Sequence, residues 1–301
     1  MDSPTANLIH ILRDRVDELV TAGNYDEAVH AATAAVEKAQ QALTPELDNI
    51  DEFVDTLELR GDLFRSLGRY DDAEEDYRQA LDQLENRADR TLQVARIAAA
   101  HGAAHDALGH PAKAAESWQR ALTLFEQAEP PALLDVALMA NNLAYLKKDE
   151  GDIDAAESHF LRALEIHHQN LGPDHEETAT ISNNLGALYH SAGYFEQARE
   201  MHLMALEARR KNFSDDHPDT AQSHNNLALA LLETGDRSRA RHHFESSLHA
   251  FQALGVDYHA DLEAIASNYA FFLRTEGEAA LADQVEKDVH ALTQAARIKP
   301  A

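Results

Sequence analysis

The sequence predicts an all-α solenoid of about seven helix–turn–helix units, and three observations carry that expectation. A glycine followed five residues later by alanine recurs at Gly23/Ala28, Gly68/Ala73, Gly109/Ala114, Gly151/Ala156, Gly193/Ala198, Gly235/Ala240 and Gly277/Ala282. The intervals between these glycines are 45, 41, 42, 42, 42 and 42 residues, so seven units account for nearly all of the 301 residues. Self-similarity at such a period marks a stacked repeat protein. Small residues also recur at fixed distances from each glycine, where helix axes can approach closely. Finally, hydrophobic residues make up 44% and aromatic residues only 6%, a balance that favours closely packed helices over a β-sandwich.

Each unit reads as two helices. The first ends at the glycine, as Ala179–Ala192 does, because the reversal there needs a positive φ. The second follows, as in Phe195–Asn212. Acidic residues open it (Asp26 and Glu27, Asp71 and Asp72, Asp154, Glu196), which suits the positive end of a helix dipole. In the third unit Pro111 stands where a first-turn proline is tolerated. Small residues stand seven before the glycine (Gly61, Gly102, Ala144, Gly186, Ala228, Ala270) and twelve after it (Ala35, Ala80, Ala121, Ala163, Ala205, Ser247). A large residue often stands nine after (Tyr77, Trp118, Phe160, Phe244), and an apolar one thirteen after (Val36, Leu81, Leu122, Leu164, Leu206, Leu248). These offsets share one helix face and read as core. Pro45, Pro130, Pro131, Pro173 and Pro218 fall between units and mark turns. The predicted units span 7–44, 50–86, 91–128, 133–170, 175–212, 217–254 and 259–297. A flexible start at 1–6 and a tail at 298–301 flank them. No linker interrupts the series, so one solenoid is expected rather than two domains.

The small–small–aromatic–small pattern resembles the tetratricopeptide repeat. The 42-residue period and the run from Leu171-Gly172-Pro173-Asp174-His175 to Asn183-Asn184-Leu185-Gly186 are similar to the kinesin light chain subtype, with the same loop again at Phe213–His217. The resemblance covers residues 7–297. The ends depart from it: Val16 and Ala32 stand at small and large positions of the first repeat, and Glu286 and Val289 at aromatic and small positions of the seventh. Those departures suit terminal caps. The resemblance implies a right-handed superhelix whose first helices line a concave groove that binds a peptide or protein segment.

On that groove the resemblance places a column of amides. Asn142, Asn184, Asn226 and Asn268 stand 42 residues apart, each preceded by Asn141, Asn183, Asn225 or Ser267. A side-chain amide can pair with both N–H and C=O of an extended peptide, and the column is similar to the asparagine ladder in the repeats of O-GlcNAc transferase. The same asparagines could instead bond neighbouring parts of the fold. Thr180, Gln222, Tyr145, Leu229, Phe271, Lys148, His190 and Arg274 are the other expected groove residues. Of these, Lys148 and Arg274 would meet ligand carboxylates, while Tyr145 and Phe271 would meet apolar side chains.

Charge narrows the partners. With 53 acidic and 26 basic residues the net charge is −27, which opposes nucleic acid and anionic membrane surfaces. Early groove positions carry Asp55, Glu58 and Asp62, so the N-terminal repeats would favour a basic ligand segment. No run approaches 18 apolar residues, and the N-terminus lacks a leader pattern; a cytoplasmic protein without membrane insertion is expected.

Catalytic signatures are missing. There is no cysteine, no phosphate loop and no nucleophile elbow. His101 and His105 have the i, i+4 spacing of a metal-binding face, but they fall where other repeats carry Leu143 and Tyr189 and read as core. His175, His217 and His259 mark one loop position, and the pairs His167-His168 and His242-His243 point to different faces. No metal or cofactor is therefore expected. The favoured reading is a non-enzymatic scaffold for a peptide or protein. A self-assembling structural protein with stacking repeats is the alternative, and an enzyme with a histidine metal site is a third.

Overall fold

A computed structural model of the chain describes residues 3–85, 87–255 and 258–298. Among these residues the elements are fourteen α-helices and a short 3-10 turn at Ala88–Arg90, with no strand. The helices form seven successive pairs: α1 (Ser3–Thr21) and α2 (Tyr25–Gln41), α3 (Leu47–Ser66) and α4 (Tyr70–Gln83), α5 (Thr91–Ala107) and α6 (Pro111–Gln127), α7 (Leu133–Asp149) and α8 (Ile153–Asn170), α9 (Glu176–Ser191) and α10 (Phe195–Asn212), α11 (Pro218–Glu233) and α12 (Arg237–Leu254), α13 (His259–Thr275) and α14 (Ala279–Ile298). The all-α solenoid follows from the repeat pattern. One expectation fails at the N-terminus: helix α1 starts at Ser3, so residues 3–6 are helical rather than a flexible lead-in. At the other end Ile298 closes α14, and 299–301 lie outside the described residues, as do 1–2.

The chain divides into two compact units, Met1–Leu146 and Lys147–Ala301, with the division inside α7. In the first unit each helix from α1 to α6 packs on the next, and α3 also touches α5. In the second, α8 to α14 pack in the same sequential way, and α9 touches α11, which touches α13. Contact between successive first helices puts them on the inner side of each stack.

The turn inside each pair is set by its glycine. Gly193 adopts φ 80°; its N–H donates to the His190 carbonyl at 3.1 Å, and the Tyr194 N–H to the Tyr189 carbonyl at 2.8 Å. This is a Schellman ending, which a Cβ would strain. Between pairs the loop histidines serve as N-caps: His175 Nδ1 accepts from the Glu177 N–H and His217 Nδ1 from the Asp219 N–H.

The core follows a size exchange between the two helices of a pair. A Cβ on Gly61 would stand 2.8 Å from the Tyr77 ring, one on Gly102 2.5 Å from Trp118, and one on Gly186 2.7 Å from His202. The small residue seven before the turn thus makes room for the ring nine after it. The first repeat reverses the sizes: Val16 and Ala32 fill the same space and are both buried.

Candidate functional site

The asparagines of the second unit form one hydrogen-bonded line across three repeats. Asn268 on α13 donates through Nδ2 to Asn225 Oδ1 on α11 at 3.1 Å. Asn225 Nδ2 reaches its neighbour Asn226 Oδ1 at 3.4 Å, and Asn226 Nδ2 donates to Asn183 Oδ1 on α9 at 2.9 Å. The Gln222 amide donates to Asn226 Oδ1 at 3.0 Å, and His202 Nδ1 lies 3.2 Å from Asn183 Oδ1. Asn226 and Asn268 each reach the asparagine 43 residues earlier, in the previous repeat. Asn184, Asn226 and Asn268 are half-buried. The amides therefore bond first to one another, the role that the sequence left open beside ligand binding. Among the described residues the Asn226 and Asn268 NH2 groups each make one bond, and such a group carries two hydrogens.

An apolar line runs beside the amides. Leu229 is half-buried against the core, and Phe271, one period later, is 60% exposed. At the ends of the same helices His190 packs its ring 5.4 Å from Phe195, and Arg274 donates to Glu286 and Asp283 of α14 at 2.7–2.9 Å. A ligand carboxylate at Arg274 would have to displace those acids. Lys148 is half-exposed in the second unit. Asn141, Asn142 and Tyr145 belong to the first unit, where Asn141 Nδ2 lies 3.5 Å from Asn142 Oδ1 and Tyr145 is 38% exposed.

One residue of this site carries no repeat signature. Arg209 of α10 is buried and donates to Glu176 Oε1 (3.2 Å), Thr180 Oγ1 (3.2 Å), the Asp219 carbonyl (3.0 Å) and Ser223 Oγ (2.9 Å). It ties α10 to α9 and α11 and holds Thr180 in place. The signal was an arginine where other repeats carry Leu84, Phe125 and Phe251.

In the first unit the acidic face of α3 is partly answered from within. Gln93 donates to Asp55 and Glu58 at 2.8 and 3.0 Å, and Arg13 lies 3.5 Å from Asp55. Burial raises the Glu58 carboxyl above its ordinary value, against the Gln93 bond and Arg96. The two histidines read as core, His101 and His105, do not sit among apolar groups alone: both face Glu74 of α4. Burial pulls both imidazoles below their ordinary pKa, with Glu74 opposing.

Comparisons with known proteins agree on the fold. One model described as Tetratricopeptide repeat matches residues 52–127, 135–211 and 195–253, and a second of the same description matches 13–89. No curated protein matches the sequence. Among solved structures, BtubC (BKLC) from P. vanneervenii is 25% identical over 76% of this chain and 92% of its own, with a TM-score of 0.66. The C-terminal part of a repeat-containing protein from Cytophaga hutchinsonii is 15% identical, covers 93% and 95%, and has a TM-score of 0.63. Kinesin light chain repeats from P. anserina are 16% identical, cover 70% and 99%, and have a TM-score of 0.60.

Proposed function

The chain belongs to the tetratricopeptide repeat family, and from that premise we propose that it is a non-enzymatic scaffold whose second unit holds an extended peptide along α9, α11 and α13. The observation that carries this reading is the amide line beside an exposed apolar side chain. Asn226 and Asn268 each keep an amide hydrogen for a peptide backbone, with Asn184 one repeat earlier in the same column, and such contacts bind without demanding a particular side-chain sequence. Leu229 and Phe271 supply the apolar contact that a peptide side chain would bury. The bonds of Asn226 to Asn183 and of Asn268 to Asn225 fix those two amides before a ligand arrives, which lowers the ordering cost of binding. A basic segment of the same partner would suit Asp55, Glu58 and Asp62 on α3.

Selection of binders from a random peptide library tests this. Asn226→Ala and Phe271→Ala should each weaken a selected peptide about tenfold or more, since a lost amide pair or a truncated anchor costs roughly 1–3 kcal/mol. Peptides that bind both variants as well as the wild type would overturn the assignment.

A further inference from the structure

We propose that Glu74, His101 and His105 form a site for a divalent transition metal ion, Zn2+ by its donor set, that joins the second repeat to the third. His101 Nε2 lies 3.4 Å and His105 Nε2 3.9 Å from the same Glu74 Oε1, and the three ligand atoms lie within 4.8 Å of one another. Metal–ligand bonds of about 2.0–2.2 Å in a tetrahedron place ligand atoms about 3.3 Å apart. The donors are thus close to bonding position, and small side-chain rotations would complete it. Two imidazoles and one carboxylate are a set that Zn2+ accepts, with a fourth position left open.

The local chemistry sets this place apart from the rest of the solenoid. The fourth, fifth and sixth repeats carry Leu143 and Lys147, Leu185 and Tyr189, and Leu227 and Leu231 at the positions of His101 and His105. The residue equivalent to Glu74 is Glu157, which accepts a single bond from Tyr189 at 2.6 Å. There the inter-repeat contact is an ordinary tyrosine–carboxylate pair. Between α4 and α5 the tyrosine is replaced by histidine and a second histidine joins it. His105 is 3% exposed and its Nδ1 has no partner, so a polar ring lies in the core with Glu74 and the His101 ring beside it. Above the three donors opens a cleft of about 330 Å³, lined also by the acids Asp82 and Glu116 and the cations Arg78, Lys113 and Arg120. The cleft gives an ion an entry path and leaves room for a water at the fourth position. Arg78 is neutralised by Glu75 and Asp82 at 2.7–3.0 Å.

Titration of the tag-free full chain with Zn2+ alone tests the site by calorimetry and by thermal melting. One ion should bind per chain and raise the melting temperature, because binding to the folded state stabilises it. Glu74→Gln, which keeps the side-chain shape, and His101→Gln should each weaken binding about tenfold or more and abolish the Zn2+-dependent rise. His242→Ala, on an exposed histidine of the other unit, should change neither. Co2+ in place of Zn2+ should give the visible absorption of a four-coordinate ion, lost in Glu74→Gln. Circular dichroism verifies that the variants fold. No saturable Zn2+ binding by the wild type, or equal binding by folded Glu74→Gln and His101→Gln, would overturn the proposal.

Discussion

Gly102 shows how strongly one neighbour fixes a residue. Its missing side chain makes room for the Trp118 ring, which donates through Nε1 to the Ala99 carbonyl at 3.1 Å and so cannot swing away freely. Gly102→Ala should cost roughly 1–3 kcal/mol through overpacking, read as a lower urea midpoint at unchanged slope. His202 takes the ring position in the fifth repeat and is buried opposite Gly186. Burial, with His190 and Arg209 nearby, lowers its pKa to about 4, below the ordinary value of about 6.5. The unfolded chain therefore binds a proton in that interval that the fold refuses. Stability is whole above about pH 6.5 and falls as pH drops towards about 4. His224 and His243, also lowered to about 4 by burial, act in the same direction. Urea melts between about pH 7 and pH 4.5 should show the loss, and His202→Gln should make it shallower. Glycines and alanines were legible in the sequence because their constraint is local and repeats. The amides Asn183 and Asn226 were legible as a column. Their bond to each other was not, because the sequence alone does not show which side-chain atom of one repeat meets which of the next.

Between elements, the ties that matter most are departures from the repeat. Arg60 of α3 and Asp76 of α4 form a two-point ion pair, Nε to Oδ2 at 2.8 Å and Nη2 to Oδ1 at 2.6 Å, with the Asp76 side chain only 2% exposed. Burial raises the Asp76 carboxyl, against the Arg60 contact. Arg60→Ala would strand that charge and should cost about 3–5 kcal/mol. The double variant Arg60→Met with Asp76→Leu should be milder than Arg60→Ala, because it removes both charges. Thermal melts of the pair would show whether this order holds. Arg209 ties three helices in the second unit, and Arg209→Met should lower stability by roughly 1–3 kcal/mol while loosening Thr180. Helix bounds came close to expectation because the turn glycines and loop prolines stop the helices locally. Arg60, Asp76, Glu74 and Arg209 were not legible beforehand, since a single charged residue in a helix carries no periodic signal. Only comparison between repeats singles out the arginine that stands where Leu84, Phe125 and Phe251 are buried.

For the molecule as a whole, fold and family follow from the 42-residue period, while the ligand is inferred from surface chemistry. No helix among the described residues is long and apolar enough to cross a membrane. The net charge of −27 favours a basic partner segment, and binding of such a segment should weaken between about 50 and 300 mM salt, as screening shortens to about 10 Å and less; affinity measured across that range decides it. The amide line along α9, α11 and α13 is where we propose that a peptide lies. Its most direct test is a two-dimensional 1H–15N spectrum of the side-chain NH2 groups during titration with a selected peptide. Saturable shifts are expected for Asn184, Asn226 and Asn268 together. Shifts confined to other side chains, with these three unmoved at saturation, would contradict it.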